Sequence, residues 1–227
     1  MTSLPQIDYW RETNGGLRGS TMIRAGTVVM ALAGLSNVIA PYVSSFGVVP
    51  YEPAMIAAWL SWILGLWILG AGFAWVGINP FLSRFGIVVG TFHIAQGVYL
   101  LVLLFTSART AVPPVSLSVG RLVAILAFAL IERESIGRST SRLILVATGL
   151  ALLKVAVRIM TYLPPLSATI WSLADAGMLI LLAVTLLRLG TRVRILENSW
   201  AEERYRERSA GFVDFNNPEH LWNKADD

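Results

Sequence analysis

Cysteine is absent from this chain, and with it go disulfides, thiolate metal sites, cysteine-ligated iron–sulfur clusters and cysteine nucleophiles. Histidine occurs twice, at His93 and His220, and neither has a second histidine or a carboxylate at ligand spacing within a span, so a haem or copper site has no ligand set. There is no nucleophile motif, no phosphate-cradling loop and no pair of carboxylates at catalytic spacing. The sequence therefore assigns no catalytic residue, no metal and no cofactor, and leans away from an enzyme. Charge is scarce too: 14% of the 227 residues are Asp, Glu, Lys or Arg, against 55% hydrophobic. That balance excludes an ordinary soluble domain of this length and identifies a polytopic membrane protein. The net charge of +4 does not indicate nucleic acid, because the arginines sit beside apolar segments, where membrane topology accounts for them.

The chain divides into a polar N-terminal segment (1–20), a transmembrane region (21–188) and a polar tail (189–227). Residues 1–20 lack the short apolar core and small-residue cleavage site of a signal peptide, so insertion is expected to rely on the first span, with Trp10 at headgroup level. Six apolar segments follow, at about 21–46, 54–78, 84–105, 115–131, 142–162 and 167–188. Most are long enough to cross a hydrocarbon core of roughly 30 Å, and the fourth is the shortest. Prolines mark the turns at Pro50, Pro53, Pro80, Pro113, Pro114, Pro164 and Pro165. The expected fold class is all-α, a six-helix membrane bundle. Arginines 11, 18, 24, 84, 133, 138 and 142 fall in alternate loops, whereas Arg109 stands alone in the others. The bias places both termini in the cytoplasm, with a prokaryotic cytoplasmic membrane as the expected location.

Glycines recur at helical spacing in the third span, where Gly86, Gly90 and Gly97 share a face with His93. Small residues at that spacing let helix backbones approach closely. The first, third and fifth spans also begin alike, at Arg24, Arg84 and Arg142, and each meets a polar residue about twelve positions later: Asn37, Gln96 and Lys154. Two accounts of this similarity stand: a threefold hairpin repeat, or a common preference of inward-anchored helices for an arginine foot.

The uncommon chemistry lies inside the spans. Arg121, Lys154, Arg158 and Asp175 are charged where the insertion cost is roughly 2.5–3.5 kcal/mol per residue, so they are not expected to face lipid. Depth counted from the outer helix ends gathers Asn37, Gln96, Arg121, Lys154 and Asp175 into one layer, with Arg158 a turn nearer the surface. One account has Lys154 and Asp175 paired for packing while both arginines reach outward to lipid phosphates; the other has an outward-facing pocket for an anionic group. His93 is a packed histidine or a proton or quinone contact. The turn at 132–142 is expected to be a solvated loop.

Three functions fit these residues. The first is a non-catalytic subunit or accessory protein of a larger membrane complex, with lipids and other membrane subunits as partners and the tail aromatics Trp200, Phe212, Phe215 and Trp222 as a docking segment. The second is a small transporter or binding protein for an anionic solute or lipid headgroup. The third is a membrane enzyme or quinone-linked redox subunit in which His93 and Lys154 handle protons.

Overall fold

The computed structural model describes residues 18–45, 47, 51–76, 80–106, 115–160 and 168–211, and among them there is no strand. The helices are α1 (Gly19–Ser45), α2 (Tyr51–Ala74), α3 (Pro80–Phe105), α4 (Val115–Ile131), the single turn α5 (Arg133–Ile136), α6 (Arg138–Met160) and α7 (Ala168–Gly211). Five of these are long and apolar enough to cross a membrane: α1, α2, α3, α6 and α7. The helix α4 is as apolar but has 17 residues, about 26 Å at 1.5 Å per residue, and falls just short of the hydrocarbon thickness. The N-terminal foot with Trp10, the turn around Pro164 and the tail aromatics Phe212, Phe215 and Trp222 lie outside the described residues.

The chain forms two compact units, Leu17–Leu196, and Met1–Gly16 with Glu197–Asp227. In the second, the described residues 197–211 are helical, with Ala201 and Glu197 buried and Trp200 half-buried. In the first, helices adjacent in sequence are adjacent in space: α1 lies on α2, α2 on α3, α3 on α4 and α4 on α6. The helix α7 closes on α1, where Leu179 lies against Gly34 and Gly190 against Ile23 and the stem of Arg24. It also meets α6 through the Lys154–Asp175 ion pair. This antiparallel arrangement brings Arg24, Arg84, Arg142, Arg188 and Arg192 to one end, called the basic end below.

Glycine makes the close crossings. A Cβ at Gly26, Gly65 or Gly72 would strike the facing helix of the α1–α2 pair, at Leu69, Met30 and Ile23. On α3, a Cβ at Gly86 would meet the Phe73 carbonyl, at Gly90 the Gly70 carbonyl and at Gly97 the Trp67 indole. The face that carries Gly86, Gly90, His93 and Gly97 is thus the face that packs on α2, as small residues spaced along one side of an apolar helix allow. Threonine hydroxyls within the spans turn back on their own helices, Thr27 to the Ile23 carbonyl at 2.6 Å and Thr185 to that of Leu181 at 2.8 Å. No hydroxyl donor is left facing hydrocarbon at these positions.

Two local expectations differ from the structure. The α4–α6 connection is not a solvated loop. Glu132, Ile136, Thr140 and Ser141 are buried, and the Ser141 hydroxyl donates to the Ala129 carbonyl at 2.7 Å. Charges suggested solvent here, and Arg133, Glu134, Arg138 and Arg142 do point outward, with Arg138 and Glu134 paired at 3.5 Å, but the other side of the segment is packed. Nor does α7 stop near Leu187. It runs on to Gly211, because Gly190 serves close packing against α1 rather than termination, and the Arg- and Glu-rich stretch beyond it favours helix.

Candidate functional site

Of the six candidate polar residues, the five whose side chains are described do not form one layer. They separate into two groups on different helices and at different depths. Lys154 of α6 pairs with Asp175 of α7, their side chains 29% and 42% exposed, so the pair is open on one side. Asn37 of α1 belongs to the same group. It lies one turn beyond Gly34, and Asp175 lies one turn beyond Leu179, the residue that abuts Gly34. Antiparallel register therefore puts Asn37 and Asp175 at the same level. The Asn37 Oδ1 is buried and has no hydrogen-bond partner among the described residues. A buried amide oxygen without a donor costs roughly 1–3 kcal/mol, so the position calls for a donor from water or a ligand.

The second group joins α3 and α4. The Arg121 guanidinium donates to Gln96 Oε1. Since an arginine can only donate, the amide oxygen must face it and the Gln96 NH₂ must point elsewhere. Gln96 is 5% exposed and His93, one turn earlier on the same face, 2%. His93 Nδ1 bonds the Val89 carbonyl at 2.9 Å, which requires Nδ1 to carry the proton and leaves Nε2 as an acceptor in the neutral ring. The imidazole stacks on Phe73 with centroids 5.6 Å apart. Among the described residues no carboxylate pairs with Arg121.

The helix α2 measures the separation of the two groups. Trp67 covers Gly97, next to Gln96, whereas Trp62 covers Gly34. Five residues of α2 and three more of α1 separate Gln96 from Asn37 along the bundle, a rise of about 12 Å. Counting from helix ends missed this because it assumes that all helices begin in one plane. It also left Arg121 within reach of lipid phosphates, but the guanidinium turns inward to Gln96 instead. The side chain of Arg158 lies outside the described residues.

Packing changes along the same axis. Toward the basic end Ile23, Met30, Leu66, Leu69, Phe73, Phe128, Ile144 and Leu186 are fully buried. Toward the other end Asn37, Leu152, Lys154, Asp175 and Leu179 of α1, α6 and α7 are only half-buried, whereas Ala58 and Ile63 of α2 and Leu100 and Leu103 of α3 stay buried. Away from the basic end the bundle is therefore looser on its α1, α6 and α7 side, where the Asn37–Lys154–Asp175 group lies. This division is not legible in the sequence, since the apolar content of the spans is alike at both ends.

These features define a class: an all-helical, membrane-spanning bundle with two polar stations inside it. Among the described residues no group of three His, Asp or Glu side chains could hold a metal ion. No family model matches this chain, and neither does any curated protein or solved structure.

Proposed function

We propose that the chain crosses the membrane six times, with both termini cytoplasmic in a prokaryotic cytoplasmic membrane, and that it binds or transports an anionic solute. Arg121 carries this reading. It is a guanidinium in an apolar bundle, with one amide acceptor and no carboxylate partner among the described residues. Such a cation is costly unless an anion joins it. The Lys154–Asp175 pair is neutral as a unit and supplies a polar step between the loose end and Arg121, with Asn37 Oδ1 beside it. The arginine bias of alternate loops supports the orientation, and the apolar character of α4 supports a sixth crossing despite its length.

The test is anion-dependent stabilisation of the purified chain in lipid nanodiscs. Chloride, nitrate, bicarbonate and phosphate are compared at constant ionic strength, in the native chain and in Arg121→Gln. At least one anion is expected to raise the melting temperature of the native chain and to lose that effect in the variant. An equal rise in both, or none in either, removes Arg121 from any anion site.

A second reading, a non-catalytic subunit of a larger membrane complex, rests on a separate observation. Eleven of the described helical glycines abut a neighbouring element, but Gly149 and Gly177 are exposed and have nothing within 4 Å of a would-be Cβ. Bare glycines on the outer faces of α6 and α7 suit the approach of another subunit's helix. Mild-detergent purification from native membranes is expected to retain that subunit, and Gly149→Leu with Gly177→Leu to release it; a solitary chain excludes this reading.

A further inference from the structure

The station around Arg121 has a donor and acceptor pattern that narrows the anion class, if the anion reading of Arg121 holds. The guanidinium spends one N–H on Gln96 Oε1 and keeps others. The Gln96 NH₂ has no partner among the described residues, and it adds two donors on the other side of the same amide. His93 contributes the opposite character. Its Nδ1–H is committed to the Val89 carbonyl at 2.9 Å, its ring is held against Phe73, and nothing among the described residues donates to Nε2. The Arg121 guanidinium is tied to Gln96, which lies one turn from this ring on α3.

A halide would satisfy the donors and leave Nε2 facing a negative charge. A fully deprotonated oxyanion would do the same. Only an anion that retains a hydroxyl can accept from Arg121 and Gln96 while donating to His93. We infer that the station selects a compact oxyanion bearing one negative charge and at least one O–H, of the hydrogencarbonate or dihydrogenphosphate type, with its hydroxyl on His93 Nε2. The tautomer held by Val89 is what turns a general anion site into a selective one. No covalent change is involved; the anion binds and leaves in the same protonation state.

Bicarbonate and nitrate make the decisive pair of probes, since both are planar, trigonal and singly charged and differ by the O–H. Binding of each sodium salt to the native chain in nanodiscs is measured by melting temperature and by titration, at a mildly alkaline pH where hydrogencarbonate predominates. Bicarbonate is expected to bind about tenfold more tightly than nitrate, the worth of one hydrogen bond. In His93→Phe, which keeps an aromatic ring against Phe73, the ratio is expected to fall to about one, with nitrate binding retained. The fold of the variant is checked by its melting temperature without anion. Should it not fold, ¹⁵N-histidine NMR of the native chain decides instead: bicarbonate and not nitrate is expected to shift the Nε2 resonance of His93. Equal affinity for the two anions in the native chain overturns the hydroxyl selectivity while leaving the anion site intact. Binding of neither anion, with Arg121→Gln indistinguishable from native, overturns both.

Discussion

Lys154 and Asp175 show how a single residue changes meaning with its surroundings. Each is a charge within a span, but together they are a neutral unit with one side open, at 29% and 42% exposure. Breaking a fully buried pair costs roughly 3–5 kcal/mol, and this partial exposure lowers the expected loss to about 1–3 kcal/mol. Lys154→Met and Asp175→Leu should each lower the melting temperature in detergent. The double replacement Lys154→Met with Asp175→Leu should recover most of the loss, since it leaves no orphan charge. Strictly additive losses would show that the two do not interact. Ser141→Ala offers a smaller case: it removes the 2.7 Å bond to the Ala129 carbonyl, for an expected loss of about 0.5–1.5 kcal/mol in the same assay. Sequence made the Lys154–Asp175 partnership legible, because only one acidic residue lies inside the spans and depth from the same hairpin turn matched. It did not reveal the Gln96–Arg121 bond, which joins helices whose ends lie at different heights.

Among elements, α3 and the α5–α6 connection place the strictest demands on residue type. Gly86 leaves no room for a Cβ beside the Phe73 carbonyl, so Gly86→Val must push α2 and α3 apart; about 1–3 kcal/mol of stability should go with it. Gly149→Val, on an open face, is the matched control and should cost far less; similar losses would mean that β-branching in the helix, not crowding, is being measured. At the connection, Gly137 has φ 86° and ψ 139°, a region almost closed to residues with a side chain. Gly137→Ala is expected to cost about 1–3 kcal/mol by thermal unfolding. The glycine face of α3 was readable from spacing alone, because packing of small residues follows helical periodicity. The burial of Glu132, Thr140 and Ser141 was not, because it depends on how α4 and α6 pack together and not on the polarity of the segment.

The whole molecule carries the topological question. An all-α chain with five membrane-length helices follows from apolar run lengths, which is why that much was plain in the sequence. A sixth crossing rests on the 17-residue α4 and needs its own measurement. The chain has no cysteine, so single thiols can be introduced without background. Glu52→Cys, at the exposed start of α2, should react with an impermeant maleimide in intact cells. Glu134→Cys and Glu203→Cys, both exposed, should react only after the membrane is opened. Glu203 labelling together with Glu52 would mean an odd number of crossings.

The closing of α7 on α1 has a consequence for how the protein is made. Helices α1 to α6 can leave the ribosome and settle as successive neighbours, but the groove at Gly34 and the charge of Lys154 stay uncovered until the last helix arrives with Leu179 and Asp175. Every nascent chain therefore passes through an interval in which Lys154 lacks its carboxylate partner. A chain that stalled before α7 would be recognisable to membrane quality control by that missing ion pair and the open groove beside it.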